Sequence, residues 1–303
     1  MEKDTFENLF CYMDKFKYFL TNERKMKPNT VSSYISDLNK FFEFCRENGY
    51  MQTDTMEEAF NSYIESLRME NKSSATISRN IASVRKLSHY LKDNGVIDKN
   101  PTKGISYEKN IKTDNEEFYV LSVDEIDKLI ESTKDGSIKG YRDEAILEIM
   151  YACGIKVSEL INLSVGDLSL NEGYITVNGE NPRYIPVYKG AVKAINTYIS
   201  KGRKYLVGSG KVNNLFLNRN GEPLSRQGVW KILKACGEKA GLTTELTPHL
   251  IRRSMAVHLL ENGANIFDVQ AILGHKNVNL TKKYLNNFKP SVTNTYKNAH
   301  PKA

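Results

Sequence analysis

Cysteine and long apolar runs are both scarce in this chain. Four cysteines, Cys11, Cys45, Cys153 and Cys236, are spread over 303 residues. None forms a CxxC pair or clusters with histidine at metal-ligand spacing, which excludes a disulfide framework or a zinc ribbon as the organising principle. Cys45 and Cys153 fall on apolar helical stripes, so buried thiols in a reducing compartment are expected, and no metal. No apolar run approaches the ~20 residues that cross a bilayer. The start, Met1-Glu2-Lys3-Asp4, is charged at once with no apolar segment behind it, so the cytoplasm is the expected location. Internal repeats and low-complexity tracts are absent as well.

Acidic residues are outnumbered, 36 against 43 Lys and Arg, for a net charge of +7. That balance suits a polyanionic partner, and it equally suits a lysine-rich solvated surface. Hydrophobic residues make up 40% of the chain, enough for a sizeable core, and the length allows two domains.

Apolar residues recur at helical spacing through the first third. Phe6, Leu9, Phe10, Met13 and Phe16 form one stripe. After Pro28, Val31, Tyr34, Ile35, Leu38, Phe41, Phe42 and Cys45 form a second, closed by Gly49. Met56, Ala59, Phe60, Tyr63, Ile64 and Leu67 form a third. Ile77, Ile81, Val84, Leu87 and Leu91 form a fourth, ended by Asn94-Gly95. The polar side of the fourth carries Lys72, Ser73, Ser74, Thr76, Ser78, Arg79, Arg85 and Lys86. Hydroxyls and cations at a helix start suit phosphate oxygens, although an ordinary N-cap with a solvated face reads the same way.

Periodicity is lost after about Asn100 and returns at the capping box Ser122-Val-Asp-Glu125. The expected division is a helical domain over 1–107, a linker over 108–118, and a second domain over 119–303. The fold class is mainly α with a small β-sheet. Tyr174–Val177 and Arg183–Val187 flank a Gly/Asn/Pro turn and predict a hairpin, with Leu215–Leu217 as a candidate third strand. Helices are expected near Gly190–Tyr205, Ser225–Ala240, Pro248–Asn262, Ile266–Leu273 and Leu280–Asn287.

The chemistry concentrates near the end of the chain. Thr247 is a good N-cap and Pro248 suits the first helical position, so His249 and Arg252 share one face of a first helical turn. Imidazole, guanidinium and free backbone N–H groups there make a seat for phosphate. Leu273-Gly274-His275 follows, with Gly274 ending one helix and His275 at the mouth of the next. Tyr284 lies nine residues on. A phenol with a reference pKa of about 10 attacks poorly at neutral pH unless cations stabilise the developing charge. His249, Arg252 and His275 would supply that stabilisation. Separately, each has a plainer reading: a surface pair, a capping histidine, a core tyrosine.

Taken in this order, the motifs resemble the tyrosine recombinase (integrase) family, most closely its Xer-type chromosome-dimer resolvases. The resemblance extends over nearly the whole chain and is strongest from Tyr151-Ala-Cys-Gly-Ile-Lys-Val-Ser-Glu-Leu160 to Pro301. His249 and Arg252 match the family's HxxR, His275 its Leu-Gly-His, and Tyr284 its nucleophile. Ser225-Arg226-Gln227 with Trp230, and the ending Ala299-His300-Pro301-Lys302, are also similar to the Xer pattern.

The resemblance implies a SAM-like core-binding domain and a catalytic domain that together clamp double-stranded DNA. It implies site-specific recombination through a 3′-phosphotyrosyl bond, without cofactor or metal. The protein would be mostly monomeric when free, and four protomers, of one or two kinds, would act on two duplexes, the segment after Tyr284 docking on a neighbour. Arg226, Gln227, Arg79, Lys86 and Thr76 are the candidate DNA contacts. Core packing is expected of Trp230, a structural role of His258, a solvated ring of His89, and a mobile or docking place for His300.

Two positions depart from the family pattern. Lys156 stands where the family has arginine, which keeps the charge but loses the bidentate fork. Glu159 keeps the accompanying acidic residue. The hairpin turn, Asn178-Gly179-Glu180-Asn181-Pro182-Arg183, is short, and Glu180 falls at or near the family's general-acid lysine. A carboxylate there repels phosphate, and Arg183 is too basic to give up a proton readily. Three readings stand at this point: an active recombinase with a modified site, a weak or inactive relative that still binds DNA, and an architectural or regulatory DNA binder.

Overall fold

Proline and hydroxyl caps set the helix starts, and the buried stripes set how the helices pack. The computed structural model describes residues 6–50, 56–103, 118–207 and 212–287, and the chain divides into two compact units, 1–112 and 113–303. Most of the expected linker, the tail after 287 and His300 lie outside the described residues. So do the side chains of Phe6, Leu9, Phe10 and Cys11.

The first unit is built on four helices: α1 (Phe6–Tyr18, prolonged by a wide turn to Glu23), α2 (Pro28–Glu47), α3 (Met56–Met69) and α4 (Ser74–Asp93). Pro28 opens α2, and Ser73 caps α4 by accepting the Thr76 N–H at 3.2 Å. Phe16, Leu20, Leu38, Phe41, Phe42, Phe60, Leu87 and Leu91 are buried together. The Phe41 ring meets Phe60 edge-on at 6.2 Å and Tyr63 at 5.3 Å. Such pairs add about 1 kcal/mol each to the area they bury.

The second unit opens on α5 (Val123–Glu131), whose capping box is complete: Glu125 N–H reaches Ser122 Oγ at 3.2 Å and Ser122 N–H reaches Glu125 Oε2 at 2.8 Å. Next come α6 (Ile138–Cys153) and α7 (Val157–Asn162), then a sheet of β1 (Leu168–Ser169), β2 (Tyr174–Val177) and β3 (Arg183–Pro186). Strand order is β1-β2-β3, all antiparallel, with Ile175 opposite Ile185 and Val177 opposite Arg183. The helices α8 (Lys189–Thr197, continued by a wide turn to Arg203), α9 (Lys204–Leu206), α10 (Arg226–Lys239), α11 (Pro248–Glu261), α12 (Ile266–Leu273) and α13 (Asn279–Lys282) complete the unit. A 3-10 turn, Lys283–Asn287, follows α13.

Three expectations need correction. The third strand is Leu168–Ser169, not Leu215–Leu217, in which only Leu217 forms an isolated bridge, to Pro223. All three of Leu215, Phe216 and Leu217 are buried, and side chains claim backbone groups of the segment: Tyr198 Oη accepts the Leu217 N–H, and Arg203 Nε donates to the Leu215 carbonyl. Trp230 is not a core residue, for it is 44% exposed on α10. The last predicted helix is shorter than expected, four α-helical residues before the 3-10 turn.

His258, by contrast, is buried with its Nδ1 2.9 Å from Tyr151 Oη, and His89 is exposed. Cys45, Cys153 and Cys236 are free, buried thiols. Among the described residues no helix is long and apolar enough to cross a membrane, and no three metal-ligating side chains gather.

Candidate active site

The site grows from helix ends. At the start of α11 the Thr247 side chain accepts the Leu250 N–H at 3.1 Å, and Pro248 takes the first helical position. His249 is left exposed, while Arg252 turns inward and is only 5% exposed. Its guanidinium donates to the carbonyls of Gly154 and, at 2.7 Å, Leu273. Two of its five N–H groups are thereby used. Gly154 closes α6 in the left-handed region, φ +53°, which turns its carbonyl away from the helix axis.

The end of α12 supplies the second histidine. Gly274 adopts φ +64°, and the chain reverses into His275. Helix ends leave carbonyls without intrahelical partners, and here side chains take them. Arg183 Nε donates to Ile272 O at 2.7 Å, Arg252 to Leu273 O, and Asn181 Nδ2 to Gly274 O at 2.9 Å. Gln270 Nε2 donates to His275 O at 3.0 Å, and His275 Nδ1 lies 2.8 Å from Thr281 Oγ1. Burial pushes the His275 imidazole down to about 4, reinforced by the charges of Arg252, Lys156, Arg183 and His249. His275 is therefore neutral at pH 7. His249 is also held below the ordinary range, by desolvation and then by Arg253 and Arg252.

Tyr284 follows α13 in the 3-10 turn and is 5% exposed. Its ring lies 6.2 Å from that of His275, 28° from parallel, and meets Phe118 edge-on at 6.2 Å. Burial raises the phenol's pKa, while Arg252 and Arg253 pull it the other way. Arg253 is a further cation of the site, one that sequence reasoning misses. Its guanidinium lies 4.2 Å over the Phe118 ring and donates to Tyr119 O at 3.4 Å. Its only signal in the sequence is its place directly after the HxxR arginine.

Lys156 caps α7 and is exposed. Its backbone N–H is accepted by Glu159 Oε2 at 2.8 Å. Arg183 grips Glu159 with both arms, at 3.0 and 2.9 Å, and also donates to Asn181 O at 3.2 Å. Burial would raise the Glu159 carboxyl, but the Arg183 and Lys156 hydrogen bonds and charges outweigh it and hold the group below its usual range. Arg183 is thus committed to the protein itself and does not reach out as a phosphate donor. Glu180 is exposed in the turn.

Lys156, Glu159, Arg183, His249, Arg252, His275 and Tyr284 therefore belong to one cluster. Arg226 and Gln227 are exposed in the first turn of α10 and take no part in its hydrogen bonds. The remaining candidates belong to the first unit. Thr76 Oγ1 lies 2.9 Å from Ser73 Oγ, and Lys86 is half-buried. The fork of Arg79 closes on Asp37 at 3.0 and 2.8 Å, and Asp37 is 1% exposed, so that pairing supports the helical unit as well as any outside contact.

One expected result follows from His275. An unfolded histidine titrates near 6.5 and this one near 4, so between those values the unfolded chain binds more protons. Stability contributed by the neutral imidazole is present above about pH 6.5 and is lost as pH falls toward 4. Denaturant unfolding from pH 7.5 to 4.5 will show a shallower decline in His275→Asn than in wild type; equal slopes would refute the assignment.

A phenol gathered with two imidazoles, a guanidinium and a lysine in one helical unit defines the class of the tyrosine recombinases. The chain belongs to the phage integrase family. Residues 119–290 match the family model described as "Phage integrase family", and residues 13–95 match "Phage integrase, N-terminal SAM-like domain".

The chain is 35% identical to tyrosine recombinase XerD of Listeria monocytogenes serotype 4b over 296 residues, 96% of this chain and 99% of that protein. It is 36% identical to tyrosine recombinase XerD of Oceanobacillus iheyensis over 301 residues, covering 96% and 98%. Its fold is similar to that of a lambda integrase tetramer bound to a Holliday junction, with a TM-score of 0.72 at 18% identity, over 93% of this chain and 78% of that one.

Proposed function

We propose that this protein carries out site-specific recombination of double-stranded DNA in the cytoplasm, with Tyr284 as nucleophile. One observation carries the reading: the Tyr284 ring is stacked beside His275 and under the charge of Arg252, inside a domain of the integrase family. The phenolic oxygen attacks a backbone phosphorus and forms a 3′-phosphotyrosyl bond. The P–O5′ bond breaks, the phenol gives up its proton, and the 5′ oxygen takes one up from solvent and leaves as a hydroxyl, so no net proton is consumed. Arg252 already hydrogen-bonds the Tyr284 hydroxyl, and its N–H groups not held by carbonyls serve the nonbridging oxygens, with His249 and Lys156 adding donors and charge. The phosphotyrosyl link preserves the bond energy, so rejoining by an incoming 5′-hydroxyl needs no cofactor.

We assign residues 1–107 to a core-binding domain, 108–118 to a linker and 119–303 to the catalytic domain. Arg226, Gln227, Thr76, Arg79 and Lys86 are assigned to DNA contacts. Four protomers acting on two duplexes is the assembly we infer, supported by solved relatives described as a lambda integrase tetramer on a Holliday junction and as XerH bound to palindromic difH.

The test is covalent capture. Duplexes are first selected for binding from a random-sequence pool and then nicked beside the bound centre, so that cleavage releases a short fragment and cannot reverse. An SDS-resistant protein–DNA adduct is expected, with the modified peptide containing Tyr284. Selective binding with no adduct, or an adduct on another residue, overturns the proposal.

A further inference from the structure

Three consecutive carbonyls at the end of α12 are each taken by a side chain from elsewhere in the chain, and two of those side chains come from the β2–β3 hairpin. Asn181, in the turn, holds Gly274 O at 2.9 Å. Arg183, at the start of β3, holds Ile272 O at 2.7 Å and is anchored by its two bonds to Glu159. Its guanidinium also fills the space beside Gly274: a Cβ built on that glycine would come within 2.9 Å of Arg183 Nη1. The hairpin thus grips the residue immediately before His275 from two directions. The same turn holds a glutamate where the family resemblance places a proton-donating lysine.

We infer that the hairpin works in this chain as a brace, with Asn181 and Arg183 as positioning residues that set the place of His275. Its catalytic consequence rests on the recombinase reading, but the brace itself is a property of the free protein. His275 is presented by a single left-handed glycine turn. The N–H groups of Gly274 and His275 close on Ala271 O and Gln270 O, each at 3.1 Å, but the carbonyls of the turn are left to side chains, and those partners fix its outer side. The imidazole faces Arg252, Lys156, Arg183 and His249, and small displacements change both its burial and its distance from those charges. Asn181 is the clean probe. Its amide donates one neutral hydrogen bond to the turn, and Asn181→Leu removes that donor while keeping the number and branching of side-chain heavy atoms and adding no charge.

The experiment follows the histidine ring resonances of the full-length protein across a pH titration, beside the rate of covalent capture at saturating duplex. In Asn181→Leu the His275 midpoint will rise from about 4 toward the ordinary value by at least about half a unit. The capture rate will fall about fivefold, as loss of one positioning hydrogen bond implies, with the duplex Kd unchanged. Asn178→Ala breaks a different bond of the same turn, from Asn178 Nδ2 to Asp167 Oδ1 at 2.7 Å, and will leave His275 where it is. Buried His258 and exposed His89 report whether each variant is folded.

An unmoved His275 midpoint in folded Asn181→Leu overturns the brace. So does a capture rate equal to wild type, or an equal shift in Asn178→Ala. A wild-type protein that never forms the adduct sinks the recombinase reading alone, and the resonance then decides the brace.

Discussion

Tyr284→Phe will form no covalent complex with a nicked duplex, while binding that duplex within about twofold of the wild-type affinity. The substitution removes a single oxygen, so nothing remains to bond phosphorus. It keeps the ring, and with it the packing against His275 and Phe118. The lost oxygen also removes a hydrogen bond with Arg252, a cost of about 1.5–3 kcal/mol, while the ring stays among its apolar neighbours. Loss of capture with folding and binding intact separates chemistry from architecture. Capture at the wild-type level would place the nucleophile on another residue.

The second large effect concerns Arg252. Arg252→Ala will lower capture by about a hundredfold to a thousandfold, the scale seen when a preorganised donor to developing negative charge is removed. It will also destabilise the protein by about 3 kcal/mol, because the Gly154 and Leu273 carbonyls lose a charged donor in a buried place. Arg252→Lys discriminates between the two roles. A lysine restores one cation and up to three N–H groups but not the planar fork, so one of the carbonyls or the phosphate goes unserved. Its capture rate will stay far closer to that of the alanine variant than to wild type. Denaturant unfolding beside capture kinetics measures both effects; a lysine variant with full activity would remove the case for a fork.

The helical stripes of the first unit are legible because each of its helices buries one face and wets the other. The same rule explains what is not legible. α6 is buried nearly all round, so its apolar residues carry no period from which a helix could be read. Leu215–Leu217 looks like a strand because all three side chains are apolar, yet its backbone is shared among Tyr198, Arg203 and single bonds to Leu163 and Leu224, with no continuous ladder. Trp230 reads as a core residue on size and rarity, but its neighbours along α10, Arg226, Gln227, Lys231 and Lys234, are exposed and put it on the wet face.

At the site, helix caps and glycine stops make HxxR and Leu-Gly-His readable as two helix ends. Spacing shows that these ends exist, not which carbonyl each would serve. The partners of Arg252 lie 98 and 21 residues away, and Asn181 reaches a residue 93 positions distant. Asn181 and Arg253 therefore escape a reading of the sequence: one looks only like part of a turn without a lysine, the other only like the residue after a motif.

Those long separations have a consequence for a chain still being made. Arg252 is locked in place only after the segments around Gly154 and Leu273 have both arrived, and a chain truncated before α12 lacks His275 and Tyr284 outright. The cluster around Arg252 therefore forms only in a chain made through the 3-10 turn that holds Tyr284.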